Sequence, residues 1–346
     1  MREPTAGLVL IGICAAVLIG AALSLARAVF APVAFALFVI AIVWPFQRWL
    51  QTVLPKIVAI LITVAVTTVI ITVFASLIAW GFGRVVRSVI NDAARIQAIY
   101  AQMVDWLETH GIVLAGLWAE HFNMRWLIRV LPEVTNRMSG TATFLFVVLI
   151  YVILGLLEVD DVARKLRLAR RQDIGPVLLA GGARTAVKLR RFMLVRTLMS
   201  ALTGFLVWAF AALAGVELAV EWGVIAFVLN YIPVIGPLIA TTFPTLYATA
   251  QFSSWQTGLI IFAGLNLIQF LVGSYLEPRV AGNALSISPF VILFTVFFWT
   301  FLWGITGAFI GVPIAIAVLT LCDEHPSGRW LAELVGSRDD RMEDRA

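Results

Sequence analysis

The sequence predicts an all-α, polytopic integral membrane protein. Of its 346 residues, 61% are hydrophobic and only 13% are charged, whereas soluble globular proteins have roughly 45–50% apolar and about 25% charged residues. The apolar residues form repeated runs, and a bilayer-spanning helix needs roughly 20 apolar residues. Two uncharged runs exceed one span, with 55 residues at 222–276 and 43 residues at 280–322. We therefore expect about eight transmembrane helices. The first long run should contain a span, a break, a half-helix and a further span, and the second either a tilted long helix or a short leading piece plus a span.

The N-terminal part, residues 1–82, is expected to contain the first three transmembrane helices. Their apolar runs cover about Gly7–Ala26, Ala28–Phe46 and Ile57–Phe82. The first run is longer than the apolar core of a cleaved signal peptide, which has roughly 7–15 residues. We interpret it as a retained helix.

Residues 83–138 differ in character from the segments on either side. Charges of both signs return here, and Val89, Ile96 and Met103 recur every seven residues. An apolar stripe of this kind indicates an amphipathic helix. The segment predicts two amphipathic helices outside the bilayer, packed on each other, on the membrane surface or on a neighbouring subunit. The last alternative predicts a homo-oligomer.

Residues 139–322 are expected to contain transmembrane helices four to eight, followed by a polar tail at 323–346. A basic segment at 158–196 lies after the fourth span. Its ten positive residues are Arg164, Lys165, Arg167, Arg170, Arg171, Arg184, Lys188, Arg190, Arg191 and Arg196. Such loops face the cytoplasm, which places both termini there. Anionic lipid could also bind this segment, and a regulatory or ligand role is the alternative. Gly175-Pro176 and Gly181-Gly182 are expected to divide it into short helices.

The first long run contains the sequence Asn230-Tyr-Ile-Pro-Val-Ile-Gly-Pro. Pro233 and Pro237 lack an N–H and disfavour a straight helix, and Gly236 permits backbone angles that other residues avoid. A broken or re-entrant helix near 230–250 would free backbone groups, which is tolerated only against protein or a water-filled cavity. Broken helices are typical of transport sites. A tight turn near the membrane surface is the alternative.

Glu277-Pro278-Arg279 interrupts the uncharged sequence and is expected to form a turn. Glu277 and Arg279 are the only charged residues between Glu221 and Asp323. Within a membrane they would pair with each other or with a neighbour, whereas at the interface they would belong to a loop. Glu277 is the candidate for a group that carries a proton or a cation, and Arg279 could neutralise it.

Polar and aromatic residues of this region complete the candidate path. They are Asn230, Tyr231, Asn266, Gln269, Tyr275, Asn283 and Trp303. Amide and phenol groups both donate and accept hydrogen bonds, which suits a small, uncharged, hydroxylated solute. Alternatively, they form interhelical hydrogen bonds and aromatic packing. Gly304, Gly307 and Pro313 are candidate hinges, although small residues also let helices approach closely.

The sequence lacks the motifs that several kinds of chemistry require. There is no Gly-x-x-x-x-Gly-Lys-[Ser/Thr] loop for ATP and no Gly-x-Ser-x-Gly or His-Glu-x-x-His motif. The histidines His110, His121 and His325 are scattered, so we expect no metal, cofactor or catalysis. The net charge of +5 lies mostly beside spans, which argues against a nucleic-acid partner.

Several sequence blocks together resemble the autoinducer-2 exporter (AI-2E) family of bacterial membrane proteins. The blocks are Asn230-Tyr-Ile-Pro-Val-Ile-Gly-Pro, Tyr275-Leu-Glu-Pro-Arg-Val with Gly282-Asn283, Ser288-Pro289, Trp303-Gly304 with Gly307, and Val312-Pro313. The resemblance implies transport of a small solute across a bacterial inner membrane. Some members are assigned to export of the quorum-sensing signal autoinducer-2, and others to sodium(lithium)/proton antiport.

Three functions follow as hypotheses. The first is export of a small polar solute, similar to autoinducer-2, without ATP hydrolysis. The second is cation/proton antiport that uses Glu277, with a coupling proton or sodium ion. The third is a membrane scaffold that transports nothing. Under the first hypothesis the broken helix at Pro233–Pro237 lines the path and the glycines soften the helices that gate it.

Overall fold

The computed structural model of the chain describes residues 6–91, 109, 125–168, 174–281, 288–325 and 328–330. These residues are almost entirely helical, and no strand occurs among them. In chain order the helices are α1 (Ala6–Leu25), α2 (Arg27–Gln51), α3 (Lys56–Asn91), α4 (Arg125–Leu168), α5 (Ile174–Leu213), α6 (Ala219–Leu229), α7 (Ile235–Phe252), α8 (Trp255–Gln269), a π-helical segment (Phe270–Leu276), α9 (Glu277–Ala281), α10 (Pro289–Trp303) and α11 (Ile305–Glu324).

Six stretches of helix in the described part of the chain are long and apolar enough to cross a membrane. They cover Arg27–Gln51, Lys56–Ser88, Thr143–Leu168, Gly175–Leu213, Trp255–Val280 and Ile305–Glu324. Shorter apolar helices cover Leu10–Leu25, Ala219–Leu229 and Pro289–Trp303. The predicted all-α, polytopic membrane fold is therefore confirmed. The number of crossings and the division into domains stay predictions.

The chain divides into two compact units. Unit 1 consists of Met1–Thr67, Thr143–Arg191 and Asn283–Ala346, and unit 2 consists of Thr68–Ala142 and Phe192–Gly282. Each unit therefore combines segments from distant parts of the sequence.

Unit 1 is organised around α2, which packs against α1, α10 and α11. Its core includes Val148, Val152 and Leu156, which are fully buried. The Phe35 ring stacks on Phe309 with ring centroids 5.7 Å apart. The contact fixes the first half of α2 against the start of α11.

Unit 2 has its core around Trp222 and Leu265, each 1% exposed. Helix α7 packs against both α6 and α8. Glycines bring α5 and α6 together, because a Cβ atom on Gly204 would lie 2.7 Å from the Gly223 carbonyl oxygen. Only hydrogen fits at this contact.

Two expectations about helix breaks are wrong. Gly181-Gly182 lies inside the continuous helix α5, where a Cβ on Gly181 would lie 2.7 Å from Leu321 Cδ2, so this glycine serves close packing. Glu277-Pro278-Arg279 is also helical and continues the π-helical segment as α9.

The first long uncharged run differs from the expectation, and the second has one of the two expected arrangements. The helix before the first break, α6, has 11 residues and α7 after it has 18, whereas a span followed by a half-helix was expected. At 1.5 Å per residue, α6 extends roughly 16 Å, about half the hydrocarbon core. The second run contains two helices joined at Gly304, a 15-residue piece and a 20-residue helix.

Some predictions fall outside the described residues. The two ends of the predicted insert at 83–138 are described, because residues 83–91 continue α3 and residues 125–138 form the first part of α4. Its middle, at 92–108 and 110–124, and most of the polar tail, at 331–346, lie outside. Asn283 is also outside. These stay predictions.

Candidate functional site

The helix break predicted at Asn230–Pro237 is present in unit 2. Helix α6 ends at Leu229 and α7 begins at Ile235. Between them Val234 has φ 66° and ψ −58°, and the Ile235 N–H donates to the Pro233 carbonyl at 2.7 Å. This is a γ-turn with positive φ, a rare and strained conformation. A β-branched residue is especially unfavourable there.

The structural role of Gly236 differs from the expected one. The unusual backbone angles belong to Val234, and Gly236 is not among the positive-φ residues. Gly236 is instead required for close approach, because a Cβ there would lie 1.9 Å from the Leu229 carbonyl oxygen. Pro237 occupies the first turn of α7, where a missing N–H is tolerated.

A row of polar side chains on α5 faces this break. Arg196, Ser200 and Thr203 are spaced four and three residues apart and share one helix face. All three are buried, with Ser200 and Thr203 at 0% exposure. Thr197 lies beside them. The other residues of α5 between Phe192 and Leu213 are apolar or glycine, so four hydrogen-bonding groups in this part of the helix are unusual for simple packing.

The charged centre of the row is an ion pair between Arg196 and Glu277. Arg196 Nη1 donates to Glu277 Oε1 at 2.6 Å, and the two side chains are 8% and 18% exposed. Glu277 therefore pairs with a neighbour rather than with Arg279. The Arg279 guanidinium lies over the Tyr275 ring, 3.8 Å from its centroid, and both residues are exposed.

The π-helical segment positions Glu277. The Glu277 N–H donates to the Val272 carbonyl, five residues earlier. Pro278 has no N–H for an α-helical bond, and its ring crowds the carbonyl four residues before it. The wider π turn accommodates this proline without breaking the helix, so Glu277 is held by a rigid element.

The end of α6 is tied to the same face of α5 by two hydrogen bonds. Asn230 Nδ2 donates to Ser200 Oγ at 3.3 Å, and the Tyr231 hydroxyl donates to Thr197 Oγ1 at 3.0 Å. Asn230 and Tyr231 are 5% and 7% exposed. The break, the polar row and the ion pair thus form one cluster, which is largely buried except at Thr197, and which we name the α5 cluster. Its members are Arg196, Thr197, Ser200, Thr203, Asn230, Tyr231 and Glu277.

The α5 cluster retains unused donors. Arg196 Nε and Thr203 Oγ1 are buried and have no hydrogen-bond partner among the described residues. The same holds for Gln269 Nε2. Helix α8 runs antiparallel to α5, because Gly264 lies against Phe210 while Glu277 reaches Arg196. Gln269 therefore lies at about the level of Thr203 along α5.

Other predicted site residues lie apart from these contacts or in unit 1. Asn266 is exposed and donates to the Phe262 carbonyl of its own helix at 2.8 Å. In unit 1, Trp303 Nε1 donates to the Leu23 carbonyl at 3.0 Å, and its ring centroid is 4.5 Å from that of Trp299.

The three predicted hinge residues also belong to unit 1. Gly304 has φ 65° and ψ −143°, between α10 and α11. A Cβ on Gly307 would lie 1.8 Å from the Trp299 carbonyl oxygen, and Pro313 is buried inside α11. The roles assigned to all predicted site residues stay predictions.

Sequence reasoning missed four members of the α5 cluster. Arg196 was counted with the basic cytoplasmic segment, and Thr197, Ser200 and Thr203 were treated as part of a span. The sequence did contain a pattern that could have predicted this polar row, because the four residues share one helix face at the start of an apolar run.

The α5 cluster can bind through hydrogen bonds but offers little for other chemistry. Its one carboxylate and one guanidinium compensate each other, and the remaining groups are hydroxyls and an amide. In the described part of the chain, no group of three or more His, Cys, Asp or Glu residues could hold a metal ion. This arrangement suits an uncharged ligand with several polar atoms.

Comparison with known proteins gives consistent results. The sequence model described as "AI-2E family transporter" matches residues 10–326. The chain is 25% identical over 329 residues to "AI-2 transport protein TqsA" of Escherichia coli K12, covering 94% of each chain. It is 29% identical over 199 residues to "Putative transport protein YhhT" of the same strain, covering 58% of this chain and 56% of that protein. A protein of Borreliella burgdorferi with the same general description is 32% identical over 194 residues, covering 56% and 54%.

Proposed function

The chain belongs to the AI-2E family of membrane transporters, and we propose that it moves a small, uncharged, hydroxylated solute along the α5 cluster in unit 2. The solute would replace hydrogen bonds that the cluster makes within the protein. The buried Arg196–Glu277 pair beside the helix break is the observation that carries this proposal.

The charge balance of the cluster favours a neutral solute. A carboxylate already in a 2.6 Å contact with a guanidinium attracts a cation less than a free carboxylate does, because the two charges largely cancel at a distance. The unpartnered Arg196 Nε and Thr203 hydroxyl are available to a solute oxygen.

The identity of the solute is suggested by the Escherichia coli relative. That protein is named for AI-2 transport and matches this chain over 94% of both lengths. An autoinducer-2-like signal is therefore our preferred solute, with export as the direction. Transport would run without ATP hydrolysis, down the gradient of the solute or of a coupled ion.

Gating is proposed at the two helix breaks, each considered within its own unit. In unit 2, the strained turn at Val234 separates α6 from α7. In unit 1, Gly304 separates α10 from α11 with backbone angles that are essentially restricted to glycine. Gly307 and Pro313 would localise bending to the adjacent part of α11. A homo-oligomer in the bacterial inner membrane, with both termini in the cytoplasm, completes the proposal.

Sodium(lithium)/proton antiport is the second candidate. The observation in its favour is that Glu277 is a largely buried carboxylate, and buried acidic groups in membrane proteins often mark ion or proton pathways. Antiport requires that Arg196 release Glu277 when the cation binds.

Flux measurements on proteoliposomes that contain only this protein test the proposal. Autoinducer-2 efflux is followed in one set of vesicles, and a pH-sensitive dye under an imposed sodium gradient in another. Signal efflux without a dye response supports the neutral-solute transporter. A dye response without signal efflux supports the antiporter, and the absence of both favours a scaffold.

A further inference from the structure

A buried glutamine lies near the end of helix α2 in unit 1, and the proposed function assigns it no role. Gln47 is 0% exposed, and neither Nε2 nor Oε1 has a hydrogen-bond partner among the described residues. Gln51 follows one turn later on the same face, and its buried Nε2 is likewise unpartnered within that part of the chain. Buried polar groups are nearly always hydrogen-bonded.

A third unpartnered group lies on α5. Thr185 Oγ1 is buried and makes no hydrogen bond to any described residue. The neighbouring residue, Arg184, forms an ion pair with Glu324 near the end of α11. Thr185 thus lies beside the contact between α5 and α11.

Two contacts show which residues of α5 and α11 lie at the same level along the axis of α2. Arg190 Nη1 on α5 donates to the Ala41 carbonyl of α2 at 3.0 Å. The start of α11 is fixed by Phe309, whose ring stacks on Phe35 of α2 at 5.7 Å.

These levels determine the helix directions. Glu324 lies 15 residues beyond Phe309, or roughly 22 Å along α11. Arg184 lies six residues before Arg190, or only roughly 9 Å along α5. The Arg184–Glu324 pair can form only if α11 runs parallel to α2 and α5 runs antiparallel to it.

With these directions the polar groups lie at one level. Gln47 is six residues after Ala41, and Thr185 is five residues before Arg190. The end of α11 reaches the same level, because Gln47 is 12 residues beyond Phe35 and Leu321 is 12 residues beyond Phe309. Helices α2 and α5 therefore bring their unpartnered polar groups to one level of unit 1, beside the end of α11.

We propose that Gln47, Gln51 and Thr185 form a second binding site, bordered by the Arg184–Glu324 pair, that takes a small uncharged molecule with hydroxyl groups. Gln47 supplies a donor and an acceptor, Gln51 a donor, and Thr185 a hydroxyl. The bordering charges compensate each other, so the site has no preference for a free ion.

The close approach of α5 and α11 limits the size of the molecule. A Cβ on Gly181, one turn before Thr185, would lie 2.7 Å from Leu321 Cδ2. The space next to Thr185 is therefore narrow, and a molecule about the size of glycerol is the appropriate probe. The site belongs to unit 1 and does not depend on the α5 cluster.

The test uses the full-length protein in nanodiscs, prepared without polyols. Glycerol is titrated and its binding is followed by saturation-transfer difference NMR, with mannitol as an oversized comparison. The variants are Gln47→Leu, which keeps a similar volume, and Thr185→Val. Gln256→Leu, at an exposed position, is the matched control.

We expect saturable glycerol binding that weakens about fivefold to tenfold in Gln47→Leu and in Thr185→Val, the factor for one or two lost hydrogen bonds. Gln256→Leu should retain it. Thr185→Val provides the test if Gln47→Leu does not fold. Absence of saturable glycerol binding, as when ordered water alone fills the site, overturns the proposal. Binding that survives both unit 1 substitutions also overturns it, and that result leaves the proposed function of unit 2 intact.

Discussion

Arg196 and Glu277 are separated by 81 residues in the sequence and joined by a 2.6 Å contact between Nη1 and Oε1. Both side chains are largely withdrawn from solvent. The contact connects the middle of α5 to the start of α9, and it is the strongest electrostatic interaction in the α5 cluster. Its loss should be visible in both stability and transport.

Removing one partner of this pair should destabilise the protein. Arg196→Met or Glu277→Gln leaves a buried charge without compensation, which costs about 3–5 kcal/mol in comparable pairs. The apolar double variant Arg196→Met/Glu277→Leu should recover most of that loss. Thermal unfolding of the purified protein in detergent measures all three variants.

An exposed pair provides the control for this prediction. Arg164 and Asp161 are 70% and 51% exposed, and replacing Asp161 by Asn should change stability by less than about 1 kcal/mol. We interpret Arg196 and Glu277 as buried charges that compensate each other. A double variant no more stable than the less stable of the two single variants would contradict this interpretation.

The hydrogen bond between Tyr231 and Thr197 should be measurable as a coupling energy. Tyr231→Phe removes the hydroxyl that donates to Thr197 Oγ1 at 3.0 Å and should reduce stability by about 1 kcal/mol. A double-mutant cycle with Thr197→Val should show the two losses to be non-additive. Tyr275→Phe, on an exposed side chain, should have little effect. If the stability losses of Tyr231→Phe and Thr197→Val are additive, the two side chains do not form a direct hydrogen bond.

The location of the first helix break followed from the sequence, but its mechanism did not. The chemistry of Pro233 and Pro237 predicts a break without knowledge of any partner. The strain at Val234 was not predictable, because nothing local favours positive φ for valine. It arises from the packing of α7 against the end of α6.

The structure differs from the sequence-based expectations in two further respects. One is a contact between residues far apart in the sequence, and the other is the presence of glycine and proline inside continuous helices. Arg196 reaches Glu277 only because α5 and α8 are antiparallel and in a specific register, and one chain alone does not reveal this. Gly181 and Pro278 were expected to interrupt helices. Close packing against Leu321 explains the first, and the preceding π turn explains the second.

Replacing Val234 by glycine should stabilise the break. A residue in such a strained conformation costs about 1–3 kcal/mol, and the entropic disadvantage of glycine is about 0.5–1 kcal/mol. Val234→Gly should therefore raise stability by about 1 kcal/mol. Val234→Ala keeps a Cβ and should not. Equal unfolding temperatures for both variants would contradict strain at this residue.

Gly236 should tolerate no side chain. The Cβ of Gly236→Ala would lie 1.9 Å from the Leu229 carbonyl oxygen, so the start of α7 must shift. We expect reduced stability and reduced transport. Gly273→Ala is the matched control in the same unit, because a Cβ there has no neighbour within 4 Å. The interpretation fails if the two variants have the same unfolding temperature.

The most direct test of the central claim compares efflux from proteoliposomes for four proteins: wild type, Arg196→Gln, Glu277→Gln and the Arg196→Gln/Glu277→Gln double variant. A carrier of a neutral solute needs the two charges only to balance. Our account predicts that autoinducer-2 efflux falls at least about tenfold in each single variant, the effect of roughly 1.4 kcal/mol or more, and recovers substantially in the double variant. No variant should give a pH response to a sodium gradient. A wild-type pH response that both Glu277→Gln proteins abolish would contradict the account and assign Glu277 to cation/proton antiport.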